Sequence, residues 1–232
     1  MMNRTKFEDL GKIDYKKAWD YQEEVFKSLT DIKLFNRENV GVPKELINRL
    51  LFCEHNHVYT LGKSGTQNNL LINEQFLNSI NATFYKIDRG GDITYHGEGQ
   101  ITGYPLFDLE TMGLSIKDYI FKLEEAIILM LADYGIESGR LDGSTGVWLD
   151  VDRGATRKIC AIGVKASRSI SMHGFALNVN TNLSYFNHIN PCGFVDKGVT
   201  SMANELGGVQ DFAQVKINLQ EKLKSVFNLS FI

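Results

Sequence analysis

Cysteine is scarce: three residues in 232, at positions 53, 160 and 192. An odd number cannot pair completely within one chain, and the spacing fits neither a disulfide framework nor a zinc knuckle. Such usage suits a reducing compartment. Long apolar runs are lacking as well. The longest, residues 126–132, is far short of the roughly 20 residues needed to span a bilayer. The first nine residues hold no apolar core of a secretory signal, so the expected location is the cytoplasm, without a membrane. An excess of positive charge is absent too: the net charge is −3, which argues against a general nucleic-acid role. There is no repeat, no low-complexity tract and no linker rich in proline or glycine. A single domain over residues 1–232, long enough for a sizeable core, is the economical expectation.

Nucleotide-binding fingerprints also fail. Gly97-Glu-Gly99-Gln-Ile-Thr102 puts threonine where a dinucleotide motif needs its third glycine. Gly62-Lys63-Ser64 ends like a P-loop, but the position five before Gly62 is His57.

What is present begins with Arg89-Gly-Gly-Asp-Ile-Thr-Tyr-His96-Gly-Glu-Gly-Gln100, with four glycines in twelve residues. Glycine lets backbone approach a ligand closely. Residues 83–87 and 101–109 read as strands on either side, so the stretch reads as a loop able to wrap an apolar or acyl group rather than a triphosphate. The bland alternative is a glycine-rich hairpin.

Residues 14–29 carry apolar side chains at helical spacing, as do 115–135 and 211–227. Ser115 and Asp118 make a capping pattern at the start of the second of these helices, and Gly135 is a natural end. Its Glu124-Glu125 pair reads as a solvated face. Residues 50–52, 58–61, 146–149, 158–164 and 169–179 read as strands. Cys53, His55 and His57 alternate; a metal site and a strand edge that fixes the histidines by hydrogen bonds are both open.

Three further residues carry chemistry. Cys192 lies in Asn190-Pro-Cys-Gly193, a turn able to expose a sulfur beside backbone N–H groups that would suit an oxyanion. Lys158 begins a strand that also holds Cys160, and His173-Gly174 forms a second His-Gly element after His96-Gly97.

Together these residues resemble the octanoyltransferases of lipoate biosynthesis. The matching motifs are Arg89 to Pro105 (RGGDITYHGEGQITGYP), Arg157 to Gly163 (RKICAIG), His173 to Asn178 (HGFALN) and Asn190 to Gly193 (NPCG), in the family's order. Glu98 stands where proline is commoner. The resemblance implies an α+β, two-layer fold shared with biotin and lipoate ligases, a mixed β-sheet flanked by helices. It implies Cys192 as the acyl-carrying nucleophile and Lys158 as its partner. It places the acyl chain against Arg89, Gly90, Gly91, Asp92, Ile93, Thr94, Tyr95 and His96, against Ala161, Ile162 and Gly163, and against Gly174, Phe175 and Ala176. The implied donor is octanoyl-acyl carrier protein. The implied acceptors are lipoyl domains of 2-oxoacid dehydrogenase complexes and the glycine cleavage H protein. Neither cofactor nor metal is implied, since a thioester is already activated. His96 and His173 are expected to shape the pocket rather than act as general base.

Two rival readings remain: an ATP-dependent lipoate ligase and a non-catalytic acyl-binding module. Arg153, Arg157, Lys158, Lys165 and Arg168, with no acid among residues 153–168, read as a basic patch for acidic partner proteins. Lys158 is preferred to Lys165 at the site, because an odd offset along one strand reverses the face.

Overall fold

The computed structural model describes residues 2–151, 154–190 and 198–232. Strand β1 (Asn3–Lys12) leads into helix α1 (Tyr15–Glu38), capped by the Asp14 carboxylate, which accepts from the Lys17 N–H. Then come β2 (Asn48–Glu54), β3 (Val58–Leu61), α2 (Glu74–Ser79), β4 (Thr83–Lys86), β5 (Ile93–His96) and β6 (Gln100–Leu106). Helix α3 (Ile116–Asp133) precedes β7 (Gly139–Leu141), β8 (Ser144–Leu149), β9 (Arg157–Ser167) and β10 (Ile170–Asn178). The chain closes with β11 (Gly198–Val199), α4 (Met202–Leu206), α5 (Phe212–Phe227) and β12 (Leu229–Phe231).

Among the described residues the large sheet runs β12-β1-β2-β6-β10-β9-β8-β7, with β11 paired to β9. It is mixed: β1 is parallel to β12 and β2, and β11 to β9, while the pairs β2-β6, β6-β10, β10-β9 and β9-β8 are antiparallel. A small sheet, β4-β3-β5, stands apart. Helices α3 and α5 cover one face of the large sheet, burying Leu123, Ile127, Met130, Leu219 and Leu223 against Phe52, Ile101, Phe175 and Leu177. Each such side chain contributes roughly 1.5–3 kcal/mol. Helix α1 covers part of the other face, through Ala18, Val25 and Leu29 on Leu51, Cys53, Tyr104 and Leu106.

Several expectations change. Helix α1 runs nine residues past Leu29. Its apolar stripe is interrupted at Lys33, which is buried and pairs with the buried Asp108 at 2.5 Å. Strand β1 carries few apolar residues and β12 is only three residues long, so neither stood out as a pattern. The glycine-rich stretch is not one loop: residues 93–96 form β5, so the segment passes from the small sheet into β6 of the large one. Helix α3 has the expected capping box of Ser115 and Asp118. The Glu124-Glu125 pair, however, is not a solvated face. Glu124 is buried, accepting from the Gly146 N–H at 2.9 Å and from Arg140 at 3.1 Å.

The face argument for the two lysines fails through a β-bulge. Val147 pairs with Cys160, yet the next residue, Trp148, pairs with Lys158. One extra residue of β9 is thereby accommodated. Ile159 and Cys160 both point into the α3–α5 core. Lys158 consequently shares a face with Ala161, Gly163 and Lys165, not the opposite one.

Candidate acyl-transfer site

A cavity of about 660 Å³ opens between the two sheets. Its floor is the α1-side face of the large sheet. One row across the strands is Ala161, Ala176 and Thr102; beside it Gly163 pairs with Gly174. Alanine and glycine leave a trough where larger side chains would fill the space. Gly174 is required by packing: a Cβ there would sit 2.1 Å from the Gly103 carbonyl oxygen.

The roof is the segment 88–92 with β5. It is fastened to the floor by three contacts. The Gly90 N–H donates to the Val164 carbonyl at 2.9 Å, His173 Nε2 lies 3.0 Å from Asp88 Oδ1, and Lys165 Nζ lies 2.5 Å from Asp88 Oδ2. Gly163 permits this, because a Cβ would come within 2.8 Å of the Gly90 oxygen. Arg89 is buried and donates to the Thr60 carbonyl at 2.7 Å and to its hydroxyl at 3.0 Å, joining the roof to β3.

Of the expected residues, Arg89, Gly91, Asp92, Ile93, Thr94, His96, Ala161, Ile162, Gly163, Gly174, Phe175 and Ala176 line the cavity, as does Lys158. Gly90 and Tyr95 are not among the lining residues. Gly90 serves as the backbone fastener just described. Tyr95 is buried in the small sheet, its hydroxyl 2.7 Å from His57 Nδ1 and its ring stacked on Tyr185. Cys192 lies outside the described residues, as does Arg153. Sequence patterns did not single out Tyr15, Thr102, Tyr104 or Trp148, which also line the cavity. Tyr15 is on α1, far away in sequence. Thr102 and Tyr104 sat inside the matched motif but looked like ordinary strand residues.

The Lys158 ammonium sits over the Trp148 ring, 4.4 Å from its centroid. The Trp148 indole N–H donates to the Ser144 carbonyl at 3.0 Å. Glu124, through Gly146 and Arg140, ties this hairpin to α3. A core carboxylate therefore braces the strand that carries the ring beneath Lys158.

His96 and His173 are not poised to carry charge. Burial pushes His96 down to about 3, with nearby His55 adding to the effect. His96 Nδ1–H donates to Gln100 Oε1 at 2.9 Å. Burial also lowers His173, although Asp88 opposes it. Asp88 in turn is held well below the usual carboxylate range by its hydrogen bond from His173 and its pairing with Lys165. Among the described residues, no group of three metal-ligating side chains forms. His55 and His57 are instead held by hydrogen bonds. His55 spans the Ile13 carbonyl at 2.9 Å and the Tyr104 hydroxyl at 2.7 Å. Cys53 and Cys160 are buried, and burial pushes both thiols far above their ordinary range.

The basic stretch is less open than its sequence suggests. Arg157 forms a two-pronged pair with Glu205 at 2.6 and 2.7 Å and also meets Asp150. Lys165 is bound to Asp88. Arg168 remains exposed at the β9–β10 turn, in a left-handed conformation.

Residues 14–224 match the lipoyl protein ligase A/B catalytic domain. The chain is 53% identical over 234 residues to the octanoyltransferase of Flavobacterium johnsoniae, covering 100% of both. Its fold resembles that of a bipartite lipoate protein ligase from Thermoplasma acidophilum, with TM-score 0.72 at 11% identity, covering 99% of this chain and 86% of the other. It also resembles a biotin protein ligase from Aquifex aeolicus, with TM-score 0.53 at 12% identity, covering 96% and 70%. These likenesses and the mixed sheets flanked by helices agree with the expected α+β class. The chain therefore belongs to the lipoyl protein ligase A/B catalytic-domain family and stands with its octanoyltransferases, as an acyl-transferring enzyme.

Proposed function

We propose that this enzyme moves an octanoyl group from an acyl-carrier-protein thioester to a lysine of a lipoyl domain, through a thioester on Cys192. The observation that carries the reading is the trough of alanine and glycine that ends beside Lys158. It offers a saturated chain an apolar bed and brings a titratable amine to the open end. The other two thiols are buried and held protonated, which disfavours them as nucleophiles. Residues on both flanks of the Cys192 segment support its assignment: Asn190 N–H donates to the carbonyl of the cavity-lining Asn69, and Gly198 lines the cavity.

The steps balance without another reactant. The Cys192 thiolate attacks the donor thioester carbonyl, and the leaving pantetheine sulfur takes a proton from the Lys158 ammonium. The acceptor lysine amine then attacks the enzyme thioester, gives its proton to Lys158 and expels the Cys192 thiolate. Each half exchanges bonds of similar energy until the stable amide forms, so no nucleotide is consumed.

Incubation with octanoyl-acyl carrier protein, without ATP, should add one octanoyl mass to the intact enzyme, labile to hydroxylamine. The adduct should vanish in Cys192→Ala and persist in Cys53→Ala and Cys160→Ala. An adduct undiminished in Cys192→Ala would remove the nucleophile. Acceptor modification that requires free acid and ATP would favour a ligase.

A further inference from the structure

We propose that Thr102 is the ruler that sets acyl chain length, closing the trough at the strand where an eight-carbon chain ends; this rests on the acyl-transfer reading above. The cavity has an open and a closed end. Ser64, Thr66, Gly143 and Thr145 line it from exposed positions, whereas Tyr15, His96, Thr102 and Tyr104 line it from buried ones. The trough crosses the sheet from β9 to β10 to β6, through Ala161, Ala176 and Thr102 in register. It goes no further. On β2, Cys53 pairs with Thr102, and it is packed into the α1 core and does not line the cavity.

Length agrees with this stop. Two strand spacings come to roughly 9–10 Å. An extended chain of eight carbons spans about 9 Å, seven bonds each advancing ~1.25 Å. The first two steps of the floor are an alanine on each strand; the third is a branched side chain. Thr102 is therefore the first bulk that an incoming methyl terminus meets on the floor.

Two other walls of the closed end are tied into hydrogen bonds, His96 to Gln100 and Tyr104 to His55. Thr102 is not: it is 1% exposed, and its Oγ1 has no partner among the described residues. Its replacement strands no partner, so its bulk can be changed without breaking a network. That makes it the adjustable stop.

The test is a competition among hexanoyl, octanoyl, decanoyl and dodecanoyl thioesters of acyl carrier protein, read by intact mass of the full-length enzyme. Thr102→Ala should raise the decanoyl-to-octanoyl ratio about tenfold, the worth of burying two more methylenes. Thr102→Leu should lower octanoyl uptake at least about tenfold while hexanoyl uptake persists, and that persistence reports an intact fold. Thr102→Val, equal in bulk, should leave the ratio near that of the wild type. Unchanged profiles in both Thr102→Ala and Thr102→Leu, with acylation intact, would overturn the ruler and leave acyl transfer standing. A shift in Thr102→Val as large as in Thr102→Ala would also overturn it, since bulk would not be the cause. Absence of any acyl adduct on the wild-type enzyme would instead defeat the underlying reading.

Discussion

At the scale of single residues, the proposed mechanism turns on Lys158. A lysine has an ordinary pKa near 10.4 and a cysteine near 8.5, so neither is ideal alone at neutral pH. A pair sharing one proton resolves this, because the ammonium favours the thiolate while each sulfur leaving group still finds a donor. The Trp148 ring lies under the ammonium at 4.4 Å, a cation–π contact that helps to fix its position. Lys158→Met should cut formation of the octanoyl-enzyme by about 10²-fold or more, the usual worth of a positioned proton donor. Lys165→Met should cut it far less, because Lys165 is held by Asp88 and does not line the cavity. Single-turnover mass spectrometry of both variants checks the assignment, and the opposite ranking reverses it. Sequence had favoured Lys158 by counting alternation along a strand. That argument was unsound, since the bulge at Ile159 puts both lysines on one face. Position along β9, and not face, separates them: Lys158 lines the cavity and Lys165 does not.

At the scale of elements, what was legible followed the period of apolar residues. Helix α3 was bounded within a residue or two because Ser115, Asp118 and Gly135 are local signals that need nothing from the rest of the chain. The glycine motif announced its role through residue type. Its division into roof and strand was not legible, because pairing of β5 with β3 is a long-range fact. Tyr15 was invisible as a cavity residue for the same reason. Helix α1 shows how a buried charge hides an element's extent. Lys33 occupies a core-facing position, its ammonium 2.5 Å from Asp108 and 2.7 Å from Glu110. Asp108 is 2% exposed and depends on that partner. Lys33→Met would leave the carboxylate buried without its cation, and should destabilise the fold by about 3–5 kcal/mol. Adding Asp108→Asn should recover most of the loss, since the pair as a whole contributes little beyond its own desolvation. Urea unfolding at neutral pH measures both, and a single-variant loss below about 1 kcal/mol would show that the carboxylate finds other solvation.

At the scale of the whole molecule, the two sheets meet where the histidines collect, and this junction should govern acid stability. Tyr15 from α1 stacks on His96 of β5, with centroids 5.8 Å apart, and lies 5.1 Å from His55 after β2. His55 is pushed down to about 4 and His96 to about 3, both chiefly by burial. A histidine ordinarily titrates near 6.5, so the unfolded chain binds protons that the folded one refuses. The stabilisation is therefore complete above about pH 6.5 and is lost as pH falls toward the folded values. Each of the two groups should remove about 1.4 kcal/mol per pH unit through that window, together about 3. The carboxylates with depressed values, Asp88 and Glu205 among them, add their own loss only below about pH 4, so the slope above that pH belongs to the histidines. By about pH 3 the two rings together remove about 8 kcal/mol, which exhausts a total stability in the lower part of the usual range of about 5–15 kcal/mol. Urea titrations from pH 7 to pH 5 should show uptake of at least about two protons on unfolding, and His96→Asn should remove about one of them. A flat profile would mean that the junction admits water and that neither ring is desolvated in the folded protein.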